Sequence, residues 1–367
     1  MDYLQQLLNN QPVEWKKLGE VCDVLRGKRL TKKDMIEQGR YMVYQNSMIP
    51  LGKYNEYNVK GNTAFVICAG SAGEIGFSSE DFWAADDVSY FDCPENIHPK
   101  FVYYYLLTKQ EQIRQQIRKA SIPRLSPNTL KQLNFPIPPL SVQSRIVEIL
   151  DKFTAMEAEL QAELELRKKQ YAYYREQLLN FSYTPPSEFN VVYKKLGEVA
   201  EIGTGRSNRK DEVTDGAYPF YVRSKNILRS STYQFDETAI VIPGEGGIGD
   251  IFHYVVGKYA LHQRAYRIKL QSEEQVLSKF LYYYMTSAFK GFIVSKSVGA
   301  TATSIRKPMI EEFPIPIPPL SEQQRIVEIL DKFDTLTNSI SEGLPLEIKL
   351  RRQQYEYYRE QLLDFRN

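Results

Sequence analysis

The sequence has little of what small secreted domains and metal enzymes depend on. Cysteine occurs three times, at Cys22, Cys68 and Cys93, and histidine three times, at His98, His253 and His262. Three scattered thiols supply neither a disulfide framework nor a four-ligand zinc site, so they read as ordinary reduced thiols. No run of eighteen apolar residues occurs, which argues against a membrane-spanning helix. The opening MDYLQQLLNNQ has no basic start, apolar core or cleavage site, so a cytoplasmic protein with no membrane partner is expected. Charge of one sign does not dominate either. A net charge of +2 neither requires nor excludes a polyanionic partner, because a nucleic-acid face needs locally clustered positive charge. Catalytic signatures are also missing: there is no G-x-x-x-x-G-K-[ST] phosphate loop, no H-E-x-x-H, and no Asn/Asp-Pro-Pro-Tyr stretch. The glycine clusters Gly203–Gly205 and Gly244–Gly249 do not give G-x-G-x-x-G between a strand and a helix, and read as turns or bulges. Glu347 and Lys349 have an E-x-K spacing without a convincing upstream aspartate, which reads as a solvated helix face with no metal. No covalent chemistry is expected of this chain.

What is there is a duplication. At 367 residues, with 43% hydrophobic and 25% charged, the chain has the composition of two or three globular domains. FPIPPLSVQSRIVEILDKF begins at Phe135 and returns as IPIPPLSEQQRIVEILDKF from Ile315, 180 positions later. WKKLGEV (Trp15 to Val21) returns as YKKLGEV (Tyr193 to Val199), and RKKQYAYYREQLLNF (Arg167 to Phe181) as RRQQYEYYREQLLDF (Arg351 to Phe365). The N-terminal YLQQLLN resembles YREQLLN, Tyr174 to Asn180, which directly precedes the second copy. The repeat is therefore cyclic. It predicts that the chain ends lie side by side and that the copies close a ring with approximate two-fold symmetry.

Within each copy one part is nearly constant. Ile146, Ile149, Leu150 and Phe153, repeated as Ile326, Ile329, Leu330 and Phe333, fall at i, i+3, i+4, i+7, the stripe of an amphipathic helix. Leu140 and Leu320 precede it, and Ser141 and Ser321 are the expected N-caps. The pattern continues to Phe181, about 41 residues or roughly 60 Å of helix. Its expected partner is its own copy, running antiparallel. In the second copy Gly343 and Pro345 should interrupt the helix. The offset between copies grows there from 180 to 184, about one helical turn, which keeps the apolar face in register. The variable parts, about Glu14 to Asn134 and Val192 to Glu312, combine short β-like runs with a helix carrying the tyrosine runs Tyr103–Tyr105 and Tyr282–Tyr284. These tyrosines read as packing residues, with base stacking as the alternative.

Two variable domains alternating with regions that open PIPPLSxQxRIVxILDKF and close YxYYREQLL, with KKLGEV duplicated, resemble the specificity subunit of a type I restriction-modification enzyme over essentially the whole chain. The resemblance implies an α/β protein: two α/β target recognition domains separated by two long antiparallel helices (coiled coil), in a pseudo-two-fold cyclic repeat. It implies a non-catalytic subunit that binds double-stranded DNA, each variable domain reading half of a bipartite site. The helices would set the gap and dock two methyltransferase subunits, with motor-nuclease subunits joining the full complex. S-adenosylmethionine, ATP and magnesium would then reside on partner subunits, none being bound by this chain. The expected division is a helix remnant near the C-terminus (1–13), recognition domains at 14–139 and 192–319, a central spacer helix at 140–182, a linker at 183–191 and a C-terminal spacer helix at 320–367. The alternative is a coiled-coil interaction scaffold with two peptide-binding domains.

Base edges are read by Arg, Lys, Asn, Gln, Ser and Thr, with Asp or Glu accepting from cytosine, and phosphates are held by Lys and Arg. The candidates in the first domain are Lys28, Arg29, Lys32, Lys33, Gln45 and Asn46. In the second they are Arg206, Ser207, Asn208, Arg209, Arg223, Lys225 and Asn226. FWAADDVSYF aligns with KYALHQRAYRI, setting Asp86 and Asp87 opposite His262 and Gln263, followed by Arg264. Arg124 and Arg306, just before the long helices, are candidates for phosphate contact. Each cluster taken singly reads equally well as a solvated loop.

Overall fold

The computed structural model describes residues 3–9, 11–119, 121–181, 190–296 and 304–365; most of the 183–191 linker lies outside them. The chain divides into two compact units, Met1–Gln161 with Glu347–Asn367, and Ala162–Leu346. In chain order the first holds α1 (Tyr3–Leu8), β1 (Glu14–Lys17), α2 (Leu18–Val21), β2 (Asp23–Arg26), β3 (Tyr41–Tyr44), β4 (Gly52–Tyr54), β5 (Thr63–Ile67), β6 (Ile75–Ser78), β7 (Phe82–Ala84), β8 (Val88–Asp92), α3 (Pro99–Thr108), α4 (Gln110–Gln115), α5 (Pro127–Lys131) and β9 (Asn134–Ile137). Helix α6 (Leu140–Leu179) follows, and the unit boundary falls within it. The second unit holds β10 (Val192–Lys195), α7 (Leu196–Val199), β11 (Ala200–Thr204), β12 (Tyr218–Tyr221), β13 (Leu228–Ser230), β14 (Phe235–Pro243), β15 (His253–Leu261), β16 (Ala265–Leu270), α8 (Ser278–Lys296), α9 (Lys307–Glu311), β17 (Pro314–Ile317) and α10 (Leu320–Asn338). Almost all of α11 (Gly343–Leu363) belongs to the first unit.

The duplicated words build duplicated parts. KKLGEV and the proline-rich run form an antiparallel ribbon in each unit, β1 with β9 (Trp15 opposite Pro136) and β10 with β17 (Tyr193 opposite Pro316). Proline is tolerated there because a two-stranded ribbon has only edges. Strand order is β2-β8-β5-β6 and β4-β3-β7 in the first unit, and β11-β16-β14-β15-β12-β13 in the second. The central apolar runs are buried on both faces, with side chains alternating between two cores. In β5, Ala64 and Val66 face the helix-side core while Phe65 and Ile67 face a smaller one. In β14, Ile240 and Ile242 face the helices, and Ala239 and Val241 the other side.

The long helices begin two residues earlier than serine N-caps would place them. Pro139 and Pro319 accept the first backbone bonds, so Ser141 and Ser321 sit inside the first turn and cap nothing. The polar anchor is the next side chain shared by the two copies. Gln143, wholly buried, donates from Nε2 to the Asn96 and Pro138 carbonyls and accepts at Oε1 from the His98 amide. Gln323 does the same with Gln275, Pro318 and the Leu277 amide. About two helical turns further, the Tyr104 hydroxyl donates to Asp151 at 2.5 Å, and Tyr283 donates to Asp331. The tyrosine runs are therefore packing residues: Tyr104, Tyr105 and Tyr283 are each 1% exposed.

Each unit also contains an antiparallel helix pair. In the first, Phe153 of α6 stacks on Tyr358 of α11 at 5.3 Å, while Glu157 meets Arg352 at 2.9 Å. In the second, Phe333 of α10 stacks on Tyr171 and Tyr174 of α6 at 5.9 and 5.5 Å. Burial pushes the equivalent phenols of Tyr171 and Tyr355 up to about 12. Of the predicted stripe, Ile146, Leu150, Ile326 and Leu330 are fully buried, joined by half-buried Ile149, Ile329, Phe153 and Phe333. Leu140 and Leu320 instead remain 44% and 40% exposed. The second helix breaks between Asn338 and Gly343, where Gly343 takes a φ of 71°. Leu4 and Leu8 of α1 share a core with Leu362, Leu363 and Phe365, so the chain ends meet within the first unit. Among the described residues no helix is long and apolar enough to cross a membrane.

Candidate nucleic-acid interface

Most of the candidate residues fall on one frame of backbone bonds that recurs in the two units. Its centre is a tight turn after β7 or β15. The Ala85 amide donates to the Tyr44 carbonyl and the Val88 amide to the Ala85 carbonyl; His262 and Ala265 make the same two bonds with Tyr221 and His262. Asp86 is thus equivalent to Gln263 and Asp87 to Arg264, one residue on from the alignment of the sequences. The cause is that backbone bonding to β3 and β12 fixes Ala85 and His262 as partners, which similarity of side chains did not show. Glycine is required beside this turn, because a Cβ on Gly27 would lie 2.2 Å from the Ala85 carbonyl oxygen and one on Gly205 1.8 Å from that of Leu261.

A second wall is a basic 3-10 turn, Lys32–Asp34 and Arg209–Asp211. Asp34 accepts from the Thr31 amide and hydroxyl at 2.7 and 2.6 Å, which holds its carboxyl below the usual range. Asp211 accepts from the Asn208 amide at 2.8 Å. Each turn therefore presents two consecutive exposed cations, Lys32 and Lys33 or Arg209 and Lys210, on a preorganised backbone. Lys28 and Arg29, like Arg206, lie on the approach to these turns with exposed side chains. A third wall starts after β3 and β12, where Ser47 and Ser224 each bond the carbonyl two residues on. It carries half-buried Gln45 and exposed Asn46 in one unit, and exposed Arg223, Lys225 and Asn226 in the other.

Not every candidate faces outward. Ser207 is buried, with its hydroxyl accepting from Gln234 Nε2 at 2.5 Å, and it holds the loop instead of presenting a free group. The Asn208 side chain caps the 3-10 turn through the Lys210 amide at 2.9 Å. His262 is 9% exposed and its Nδ1 accepts from the Arg264 amide at 3.0 Å. Burial, with Arg223 and Arg264 nearby, holds its pKa below the ordinary value. Arg124 and Arg306 are not counterparts. The Leu125 amide bonds Cys68 and the Ile305 amide bonds Gly244, so Arg124 matches Ser304, while Arg306 is the N-cap residue of α9.

In the first unit Arg26, Asp86, Asp87 and Arg124 line a cavity of about 130 Å³, with Arg26 Nε donating to the Asp86 carbonyl at 2.6 Å. In the second, Arg209, Arg223, Asn226, Glu245 and His262 line one of about 540 Å³. Of these, Arg26 belongs to the basic run Arg26–Lys33 already read as a candidate, whereas Glu245 had not been singled out. Glu245 was hidden in a glycine cluster whose turn geometry holds, with Gly246, Gly247 and Gly249 at φ of 65°, 59° and 75°. Its one sequence signal is an acid set between glycines, Gly244 and Gly246. Glu347 pairs with Arg351 at 3.6 Å along its own helix, and among the described residues no group of three or more metal-ligating side chains occurs.

The two halves of the chain match the family model described as type I restriction modification DNA specificity domain, over residues 10–166 and 187–350. The EcoR124I/EcoR124II specificity subunit of Escherichia coli is 34% identical over 405 residues, covering 100% of this chain and 97% of that one. A putative type I restriction enzyme specificity subunit of Haemophilus influenzae is 34% identical over 390 residues, covering 99% and 98%. The crystal structure of the S subunit of a type I restriction-modification system from M. genitalium aligns with a TM-score of 0.65 at 18% identity, covering 96% of this chain and 97% of that one, which is a likeness of fold.

Proposed function

The chain belongs to the family of type I restriction-modification DNA specificity subunits, and from that premise we propose that it reads a bipartite duplex sequence, one half with residues 14–139 and the other with 192–319. The observation that carries this reading is the recurring frame. The backbone bonds that place the turn, the basic 3-10 segment and the loop after β3 or β12 are the same in both units, while the outward side chains differ. Asn46, Asp86 and Asp87 stand where the other unit has Arg223, Gln263 and Arg264. A scaffold that is constant while its polar edge varies is what reading two different half-sites requires. The paired basic side chains on each 3-10 turn would hold phosphate and set register.

The docking of two methyltransferase subunits rests on a second duplication. Leu166 and Leu350 expose 65% and 52%, Tyr173 and Tyr357 59% and 61%, and Trp15 and Tyr193 39% and 52%. Large apolar groups left uncovered at matching places in both copies suit one kind of partner bound twice. On this reading the chain is non-catalytic and cytoplasmic. S-adenosylmethionine, ATP and magnesium are handled by methyltransferase and motor-nuclease subunits, and α6 with its partner helices sets the gap.

The test is to sequence the methylated sites of the assembled enzyme. Arg264→Ala should change preference at the second half-site only, by about tenfold or more per lost base contact. Removing the four residues Ala162–Glu165, about one helical turn, should alter the gap and leave both half-sites intact. An unaltered gap, or a change at both half-sites in the Arg264 variant, defeats the assignment.

A further inference from the structure

The centre of the second unit's edge is an acid flanked by two arginines. Glu245 Oε2 accepts from Arg223 Nη1 at 2.8 Å and from Arg264 Nη1 at 3.0 Å. The backbone around it is fixed on both sides: the Gly244 amide donates to the Arg264 carbonyl, the Ile305 amide donates to the Gly244 carbonyl, and Glu245 bridges Ser304. The carboxylate therefore does not drift with a loose loop. Nor is it part of the scaffold. By the same backbone bonds, Glu245, Arg223 and Arg264 occupy the places of Ala69, Asn46 and Asp87 in the first unit, so the acid there lies on the turn instead of on the loop.

We infer that Glu245 is a specificity-determining residue for the second half-site, accepting from an exocyclic amino group of cytosine or adenine while Arg223 and Arg264 turn to purine acceptors and phosphate. This rests on the reading of that edge as DNA-facing. Without DNA the carboxylate holds both guanidiniums, so approach of a phosphate alone must break two charge-assisted bonds and meet a like charge. A base with an amino group in the groove satisfies the acid and frees the arginines together. A base without one leaves the carboxylate facing an acceptor, which is rejection by an unpaired charge.

The experiment uses the specificity chain assembled with its methyltransferase subunits, comparing wild type, Glu245→Gln and the double variant Arg223→Ala/Arg264→Ala. Binding to an unrelated duplex is titrated at several salt concentrations, and methylated sites are sequenced. Glu245→Gln keeps shape and removes the charge. It should raise affinity for unrelated DNA about tenfold, steepen the salt dependence by roughly one phosphate contact, and relax one position of the second half-site while the first is unchanged. If Glu245→Gln leaves the salt slope and the methylated sequence as in wild type while the double variant degrades the second half-site, the role of Glu245 is overturned and the DNA-facing edge stands. If the double variant also leaves the second half-site unchanged, both the role and the edge are overturned.

Discussion

The smaller core of the first unit is packed with rings, whereas that of the second adds a buried ion pair to its rings. Tyr44, Phe65 and Phe82 meet at 4.9, 5.7 and 5.2 Å. In the second unit Arg267, at the place of Tyr90, lies over Phe235 at 4.7 Å and pairs with Glu237 at 3.1 Å, and the Tyr259 hydroxyl donates to Glu237 at 2.9 Å. The strands differ to match. β6 and β7 are separate pieces, whereas β15 runs unbroken through Gly257 at a φ of 90° and joins six strands into one sheet. The helix-side cores, by contrast, repeat almost residue for residue. The reading lobe can thus change its chemistry and even its strand continuity, because the anchoring of each unit is done elsewhere, by the ribbon, the buried glutamine and the tyrosine–aspartate bond.

The sharpest way to break this contrast is Glu237→Ala. It leaves Arg267, 8% exposed, with only the outer carboxylate of Glu201, and breaking a buried ion pair costs about 3 kcal/mol. Hydrogen exchange should show β14 amides losing protection while β5 amides keep theirs; equal loss in both units would mean that they do not unfold separately. Gln143→Ala and Gln323→Ala test the shared part. Each strips partners from one buried amide and two carbonyls, at about 2 kcal/mol, and the two variants should destabilise their own units equally. A difference of more than about 1 kcal/mol between them would deny that the anchors are equivalent.

The smallest effect is that of acid. Burial holds His253 and His262 below the ordinary histidine pKa, Arg223 and Arg264 adding to the shift at His262, and burial does the same to His98. These rings take up a proton less readily in the folded chain than in the unfolded chain, which protonates near pH 6.5, so the unfolded state binds more protons as pH falls. The stabilisation is complete above about pH 6.5 and is lost progressively below it. Two such histidines stand in the second unit against one in the first, so lowering the pH from 7 to 5.5 should erode β14 protection more than β5 protection.

Much of the scaffold was legible because it is periodic or repeated. The i, i+3, i+4, i+7 stripe that begins at Ile146 gave a helix, the break at Gly343 followed from glycine and proline chemistry, and the tyrosine runs were packing residues because their helical setting was visible. The cap was misplaced, since Ser141 has a capping side chain but the prolines before it already start the helix. The site was legible as composition only. Lys32, Lys33 and Arg209 were singled out as charge, but that Thr31–Asp34 and Asn208–Asp211 fold them into equal turns was not visible. Ser207 has the chemistry of a base reader and spends it on Gln234.

By itself the sequence determined that this chain is two copies in cyclic order, with a constant helical part and a variable part, since identity between copies needs no coordinates. Only the tertiary structure decided that Asp87 corresponds to Arg264 and that Glu245 meets Arg223 and Arg264. Those meetings are set by backbone bonds between loops far apart in the chain and by glycines at positive φ, and neither leaves a periodicity to read.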